Sequence, residues 1–364
     1  MKNETHRLGD YIREVNVRNR DLKVTKLVGL TIDKAFIPSV ANVIGTDLSN
    51  YKVIRREQFA CSLMQVSRDG KMPVAMFEED EAIMSPAYPM FEVVDKTKLL
   101  PQYLMMWFSR SEFDREASYY AVGGVRGSLT WEDFCNMQLP VPSIERQREI
   151  VSEYETLTRR IRLNARMIEK LEATAQALYR HTFVDNIDKQ NLPDGWRIET
   201  IGELCEIITG RKDVNESLTA GKYRFFSCSP DPYYSNEFIA QGPAVLIAGN
   251  GSYTGRVTYY DKEFDLYQRT YACLPKKEKI ELIPFLYCVL RFEFQSKYMG
   301  GSRESSIPYI VRGDISDFEF AFNENVCKSF SKEIENVLTS IQLKIIENEK
   351  ITELQSLLLS KMGQ

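Results

Sequence analysis

Two stretches of this sequence must form long helices, and they resemble each other. Residues 144–183 read IERQREIVSEYETLTRRIRLNARMIEKLEATAQALYRHTF, with no proline or glycine. Apolar side chains recur at Ile150, Tyr154, Leu157, Ile161, Ile168, Leu171, Ala175 and Leu178, with Asn164 filling the missing rung. A helix of this kind is about 60 Å long at a rise of about 1.5 Å per residue, and so narrow an apolar stripe needs a partner. A shift of 180 residues supplies one: Ile161 meets Ile341, Leu163 meets Leu343, Glu169 meets Glu349, Lys170 meets Lys350 and Leu178 meets Leu358. The second stripe is Phe330, Ile334, Val337, Ile341, Ile345, Asn348, Ile351 and Leu358. Duplication at this spacing implies two helices that pair with each other and close two similar halves of one chain.

The rest of the chain repeats in the same order. Leu8-Gly9-Asp10-Tyr11 is echoed by Ile201-Gly202-Glu203-Leu204, and the basic Arg18 and Arg20 by Arg211-Lys212. Short β-type runs follow in each half, with Arg68-Asp69-Gly70-Lys71 reading as a turn. A helical run at 101–110 is mirrored at 285–292, and the glycine-rich stretch at 123–128 by 300–305. Thr130 before Trp131-Glu132-Asp133 reads as a helix cap, and Ser143 as the cap of the first long helix. Residues 184–195, with Pro193-Asp194-Gly195, form a linker.

Composition narrows the class of function. Charged residues make up 27% and hydrophobic residues 43%, as in a folded globular protein. No apolar run follows the first lysine and no window is long and apolar enough to span a membrane, so a cytoplasmic protein without membrane contact is expected. Seven scattered cysteines without a CxxC pair read as buried free thiols, and two histidines leave little for a metal site, so none is expected. A net charge of −4 argues against nonspecific coating of DNA but leaves room for local basic patches. The first thirty residues carry seven Lys and Arg against four Asp and Glu.

Motifs for chemistry are weak. Gly249-Asn250-Gly251-Ser252-Tyr253-Thr254-Gly255 resembles a phosphate loop, but β-forming Arg256-Val257-Thr258-Tyr259-Tyr260 follows where a helix is required. A hairpin tip is the better reading, and such a tip lets backbone approach DNA. Ser229-Pro230-Asp231-Pro232-Tyr233-Tyr234 falls short of the amino-methyltransferase signature, lacking the doubled proline. A self-contained DNA methyltransferase is therefore the weaker alternative, and a coiled-coil adaptor that touches no DNA is another. Basic and polar loop residues favour a binding protein that is not an enzyme. Arginine pairs with guanine, asparagine with adenine, and lysine neutralises phosphate. The candidates are Arg18, Arg20, Lys23, Arg68, Lys71 and Arg126 in the first half, and Arg211, Lys212, Asn250, Tyr253, Arg256, Arg269 and Arg303 in the second.

The arrangement resembles the specificity subunit of type I restriction–modification systems over nearly the whole chain. The resemblance rests on Leu139-Pro140-Val141-Pro142-Ser143-Ile144-Glu145-Arg146-Gln147 before the first long helix, and on its relic Phe320-Ala321-Phe322-Asn323-Glu324-Asn325, without prolines or Gln, before the second. It implies an α+β protein: two mixed α/β target-recognition globules separated by a pair of long antiparallel helices, with pseudo-twofold symmetry. The domains would be recognition domain 1–143, spacer helix 144–185, recognition domain 186–323 and spacer helix 324–364. The resemblance further implies that each globule reads one half of a bipartite site in double-stranded DNA and that helix length sets the gap. The chain itself would be non-catalytic and bind no cofactor. It would recruit methyltransferase subunits, two of them, that use S-adenosylmethionine, and restriction and translocase subunits that use ATP and Mg. Asn164 and Asn348 would fix the helix register, and Arg159, Arg160, Arg162 and Arg166 would face docking partners.

Overall fold

The computed structural model describes residues 5–39, 45–64, 66–122, 127–185, 187–299 and 309–362. Two compact units divide the chain: Met1–Leu163 with Glu347–Gln364, and Asn164–Ile346. Both long helices are present, at Ile144–Phe183 and Glu324–Lys361, and each contributes one part to each unit.

The first unit opens with strand Thr5–Arg7, antiparallel to Gln138–Pro140, the strand that feeds the first long helix. A four-stranded antiparallel sheet follows in the order Ile12–Glu14, Met90–Val93, Phe59–Cys61, Val74–Met76. Its second β layer is the antiparallel pair Lys52–Arg55 and Glu81–Met84, beside the hairpin Val28–Leu30/Phe36–Pro38. Helices Pro101–Phe108, Ser111–Ala121 and Trp131–Asn136 cover the sheet, and Phe59, Phe91, Phe108, Phe113 and Phe134 interlock beneath them. Residues 66–69 close a single helical turn where the sequence suggests only a turn, and Gly70 leaves it at φ +65°.

The second unit repeats this plan. Arg197–Thr200 pairs with Glu319–Phe322, and a four-stranded antiparallel sheet runs Cys205–Thr209, Thr270–Pro275, Ala244–Ala248, Val257–Tyr260. Its other sheet differs: Tyr233–Ser235, Tyr223–Phe226, Glu263–Leu266, Ala240–Gln241, with the two central strands parallel. The helix expected at 285–292 begins at Ile283 and widens into π-type turns over Val289–Phe294 before Gln295–Tyr298.

Each long helix starts on a side-chain cap. Ser143 Oγ accepts from Arg146 N at 3.3 Å, and Asn323 Oδ1 accepts from Val326 N at 3.2 Å, one repeat later. Gln147 explains its place in the first signature. It is fully buried, donates to the carbonyls of Lys98 (2.8 Å) and Pro142 (2.9 Å), and accepts from Leu100 N (2.9 Å). The matching position in the second helix is Cys327, buried in an apolar core, so that copy dispenses with the glutamine.

The seam follows the periodicity closely. Ile150, Tyr154, Leu157, Ile161, Ile168 and Leu171 are half-buried, Ala175, Ile334, Ile341 and Ile351 are buried, and Val337 and Leu358 are half-buried. Ile345 is a correction: it is 38% exposed, because the inward position of that turn is taken by half-buried Lys344. Asn348 is half-buried, and Asn164 of the first helix is fully buried. The pairing is antiparallel within each unit. In the first, Gln355 Nε2 donates to Thr158 Oγ1 at 2.7 Å, Arg160 pairs with Glu347 at 2.6 Å, and Leu359 and Met362 join the core of Ile150, Val151 and Tyr154. In the second, Phe183 and Tyr179 pack on Phe330 at 5.1 and 6.0 Å between ring centres. All seven cysteines are free thiols, and burial pushes Cys205 and Cys327 up to about 12. Among the described residues no helix is long and apolar enough to cross a membrane.

Candidate nucleic-acid interface

Strand register gathers the second-half candidates at one end of their unit. Thr209 lies opposite Tyr271 and Ala248 opposite Thr270, while Phe226 lies beside Leu266 in the other sheet. The segments leaving those strands, 210–212, 227–232, 249–256 and 267–269, therefore meet. Backbone bonds tie them: Gln268 N to Lys212 O at 3.0 Å, Gly249 N to Arg269 O at 2.8 Å, and Tyr267 N to Phe226 O at 3.0 Å. Residues 249–256 form the hairpin tip expected from sequence, turned by Gly255 at φ +87° and followed by strand Val257–Tyr260.

The side chains there have different fates. Arg211 and Arg269 are exposed and have no carboxylate partner among the described residues. Lys212 is engaged: its ammonium sits 2.7 Å from buried Asp265 and 3.0 Å from Glu237, and the hydrogen bond it donates to Asp265 raises its pKa. Lys212 thus holds the loop rather than presenting a free charge. Asn250 is half-buried and its backbone bridges to Tyr309. Tyr253 stands 44% exposed at the tip. Arg256 lies beneath it, its guanidinium carbon 5.8 Å from the Tyr253 ring centre, and Nη2 donates to Ser229 O at 2.8 Å. Burial draws the Arg256 pKa below its ordinary value, yet the group stays charged.

The first-half candidates fall into two groups. Arg18 Nη1 donates to Asn50 O at 2.6 Å and Arg20 Nη1 to Asn50 Oδ1 at 3.0 Å, with Lys23 paired to Asp21 at 2.9 Å. Arg68 pairs with Asp69 at 2.7 Å and Lys71 with Asp33 at 3.4 Å. These pairs are exposed, and such pairs are worth so little that a phosphate can replace the carboxylate. Arg126 and Arg303 lie outside the described residues.

Sequence reasoning missed the supports. Buried Asn19 closes the 19–24 turn, its Nδ2 donating to Val24 O at 2.9 Å and its Oδ1 accepting from Val24 N at 3.3 Å. Gln295 Oε1 accepts from Val257 N at 2.9 Å, at the base of the hairpin, and from Arg291 Nη1 at 2.8 Å; Arg291 Nη2 reaches Glu172 of the long helix at 3.0 Å. The four-residue spacing of Arg291 and Gln295 on one helix face was the available signal.

The Ser229–Tyr234 segment is a bend leading into strand Tyr233–Ser235, with the Ser229 hydroxyl bonded to Asp231. Downstream of it, strand Ala244–Ala248 runs into the glycine-bearing hairpin and returns as strand Val257–Tyr260, not as the helix that a methyl-donor loop requires. Among the described residues no three His, Cys, Asp or Glu side chains gather as a metal site.

Comparison with known proteins places this geometry. Residues 193–322 match the family model described as type I restriction modification DNA specificity domain. The type I restriction enzyme EcoDI specificity subunit of Escherichia coli is 39% identical over 130 residues, 36% of this chain and 28% of that protein. The MjaIX specificity subunit of Methanocaldococcus jannaschii is 18% identical over 297 residues, 71% of this chain and 66% of that one. The chain thus covers less than two thirds of either relative. The crystal structure of a type I restriction–modification system S subunit from M. genitalium shares the fold at 14% identity, with a TM-score of 0.59 over 99% of this chain and 95% of that one.

Proposed function

We propose, from the match of residues 193–322 to the type I restriction modification DNA specificity domain, that the whole protein is a specificity subunit reading a bipartite site in double-stranded DNA. The observation that carries this is the meeting of Arg211, Asn250, Tyr253 and Arg269 at one end of the second unit, on loops tied by backbone hydrogen bonds. Uncompensated arginine supplies phosphate contact and guanine recognition, and an exposed tyrosine on a hairpin tip supplies a contact face for a groove. The first unit offers Arg18, Arg20 and Lys23 around Asn50, and Arg68 with Lys71, as the corresponding surface for the other half-site.

The chain supplies recognition; chemistry belongs to partners. Two similarly placed grooves support two copies of one methyltransferase subunit. The first, about 470 Å³, is walled by Val151, Glu155, Thr158, Arg159 and Arg162 of the first long helix. The second, about 810 Å³, is walled by Ser331, Glu335, Leu338, Thr339 and Gln342, each 180 residues further on. Methyltransferase subunits would bring S-adenosylmethionine, and restriction subunits ATP and Mg; the protein would act in the cytoplasm. The test is long-read sequencing of DNA from cells expressing this chain with a partner methyltransferase. A split methylated motif is expected, absent without this chain. Methylation without sequence preference, or methyl transfer by the purified chain alone, overturns the reading.

A further inference from the structure

Arg256 is the unusual cation of the interface. Its Nη2 crosses from the hairpin tip to the carbonyl of Ser229, joining two loops that share no covalent neighbour, at 2.8 Å. Its Nε is buried and has no hydrogen-bond partner among the described residues. No carboxylate comes within ion-pair distance among the described residues, in contrast to Lys212, which is clamped by Asp265 at 2.7 Å. The ring centre of Tyr253 stands 5.8 Å from the half-buried guanidinium carbon, and the tyrosine is the more exposed of the two, at 44%. The base of the same hairpin is fixed separately, through Val257 N on Gln295.

A half-buried guanidinium with a sealed Nε and no counter-ion is costly to keep. A salt-bridged lysine or an apolar side chain would serve a merely structural role at less cost. What arginine adds is geometry: a planar fork can lie flat beneath a ring while one arm reaches sideways to a carbonyl. Lysine has one point charge and cannot do both. Because Nε is sealed from solvent, a phosphate or base edge cannot take it directly.

We infer that Arg256 is a specificity-determining positioning residue: it locks loop 227–232 to the hairpin tip 249–255 so that Tyr253 and the Ser229 loop present one reading surface to the half-site of the second unit. This rests on the DNA-recognition reading above and adds to it a division of labour. Arg211 and Arg269 supply affinity, and Arg256 supplies discrimination without touching a base.

The experiment uses the full chain in complex with its methyltransferase partner. Binding is measured to the native target and to single mismatches in each half-site, across a salt series, for wild type, Arg256→Gln, Arg256→Lys, Tyr253→Phe and Tyr253→Ala. Arg256→Gln is expected to lose about tenfold in discrimination per mismatched base pair in one half-site. The other half-site and the salt slope stay unchanged, and thermal melting of the complex is retained. Arg256→Lys, which can restore the Ser229 bond but not place a planar group beside Tyr253, recovers affinity and less than half of the discrimination. Tyr253→Phe keeps discrimination, whereas Tyr253→Ala copies Arg256→Gln. A salt slope lowered by about one with discrimination intact would make Arg256 a phosphate contact and overturn the inference. Equal losses at both half-sites, or full rescue by lysine, also overturn it. If the wild-type complex fails to prefer any target, the broader DNA-recognition reading has failed instead.

Discussion

The two globules agree where they meet the long helices and differ where they face outward. Each has a strand paired to the one that feeds a long helix, Thr5–Arg7 with Gln138–Pro140 and Arg197–Thr200 with Glu319–Phe322. Each has the same four-stranded sheet order. In each, one glycine allows a close approach: a Cβ on Gly9 would lie 3.2 Å from the Cys135 carbonyl oxygen, and one on Gly202 would lie 3.1 Å from that of Ser316. The second sheets depart. Lys52–Arg55 runs antiparallel to Glu81–Met84, but Tyr223–Phe226 runs parallel to Glu263–Leu266. Packing against a long helix constrains shape on every side, so a duplicated framework changes slowly there. Loops at a strand end answer only to solvent and to whatever they bind, so the same framework can carry two different surfaces.

The comparison is most exposed at the aromatic cores. Phe108 in the first unit and Phe285 in the second are both fully buried and ring-packed. If the frameworks are equivalent, Phe108→Ala and Phe285→Ala should each cost about 3–5 kcal/mol in urea unfolding. A cost below about 1 kcal/mol for either would break the equivalence. The cations give the next effect. Lys212→Met strands buried Asp265, with a loss of about 3 kcal/mol, whereas Arg211→Ala leaves stability unchanged and weakens DNA binding alone. Similar melting temperatures for the two variants would contradict the roles assigned here. Third comes the helix start. Gln147→Ala leaves the Leu100 N–H and two carbonyls without their partner and should cost about 2 kcal/mol. Cys327→Ala, at the matching place, removes one small apolar group and should cost about 1 kcal/mol. A reversed order in chemical denaturation would show that Gln147 is not the peg of the first helix.

How much of this was legible in sequence depended on whether a residue acts through period or through touch. The long helices, the cap at Ser143 and most of the seam followed from spacing, since one apolar stripe can face only one way, whereas the Asn323 cap of the second helix emerged only in the structure. Ile345 did not: at that turn Lys344 is the half-buried residue and the isoleucine is 38% exposed. The hairpin at 249–256 was legible from glycines followed by β-formers, but the partners of its charges were not. Asp265 lies 53 positions from Lys212, and Ser229 lies 27 from Arg256. Only the sheet register brings these pairs together. Whether a basic residue is spent on its own fold or left for a ligand is therefore a tertiary property.

The smallest expected effect tests the pair of helices themselves. Arg160 and Glu347 meet at 2.6 Å, with the arginine side chain 52% exposed. Water screens such a pair, and holding two long side chains costs conformational entropy, so Arg160→Ala should change stability by less than about 1 kcal/mol. The contacts nearby, buried Ile351 and the half-buried Gln355–Thr158 bond, hold the helices whether or not the ion pair forms. A double-mutant cycle with Glu347→Ala should give a coupling of about 0.5 kcal/mol that fades as salt rises. A larger coupling that persists in high salt would mean the arginine sets helix register.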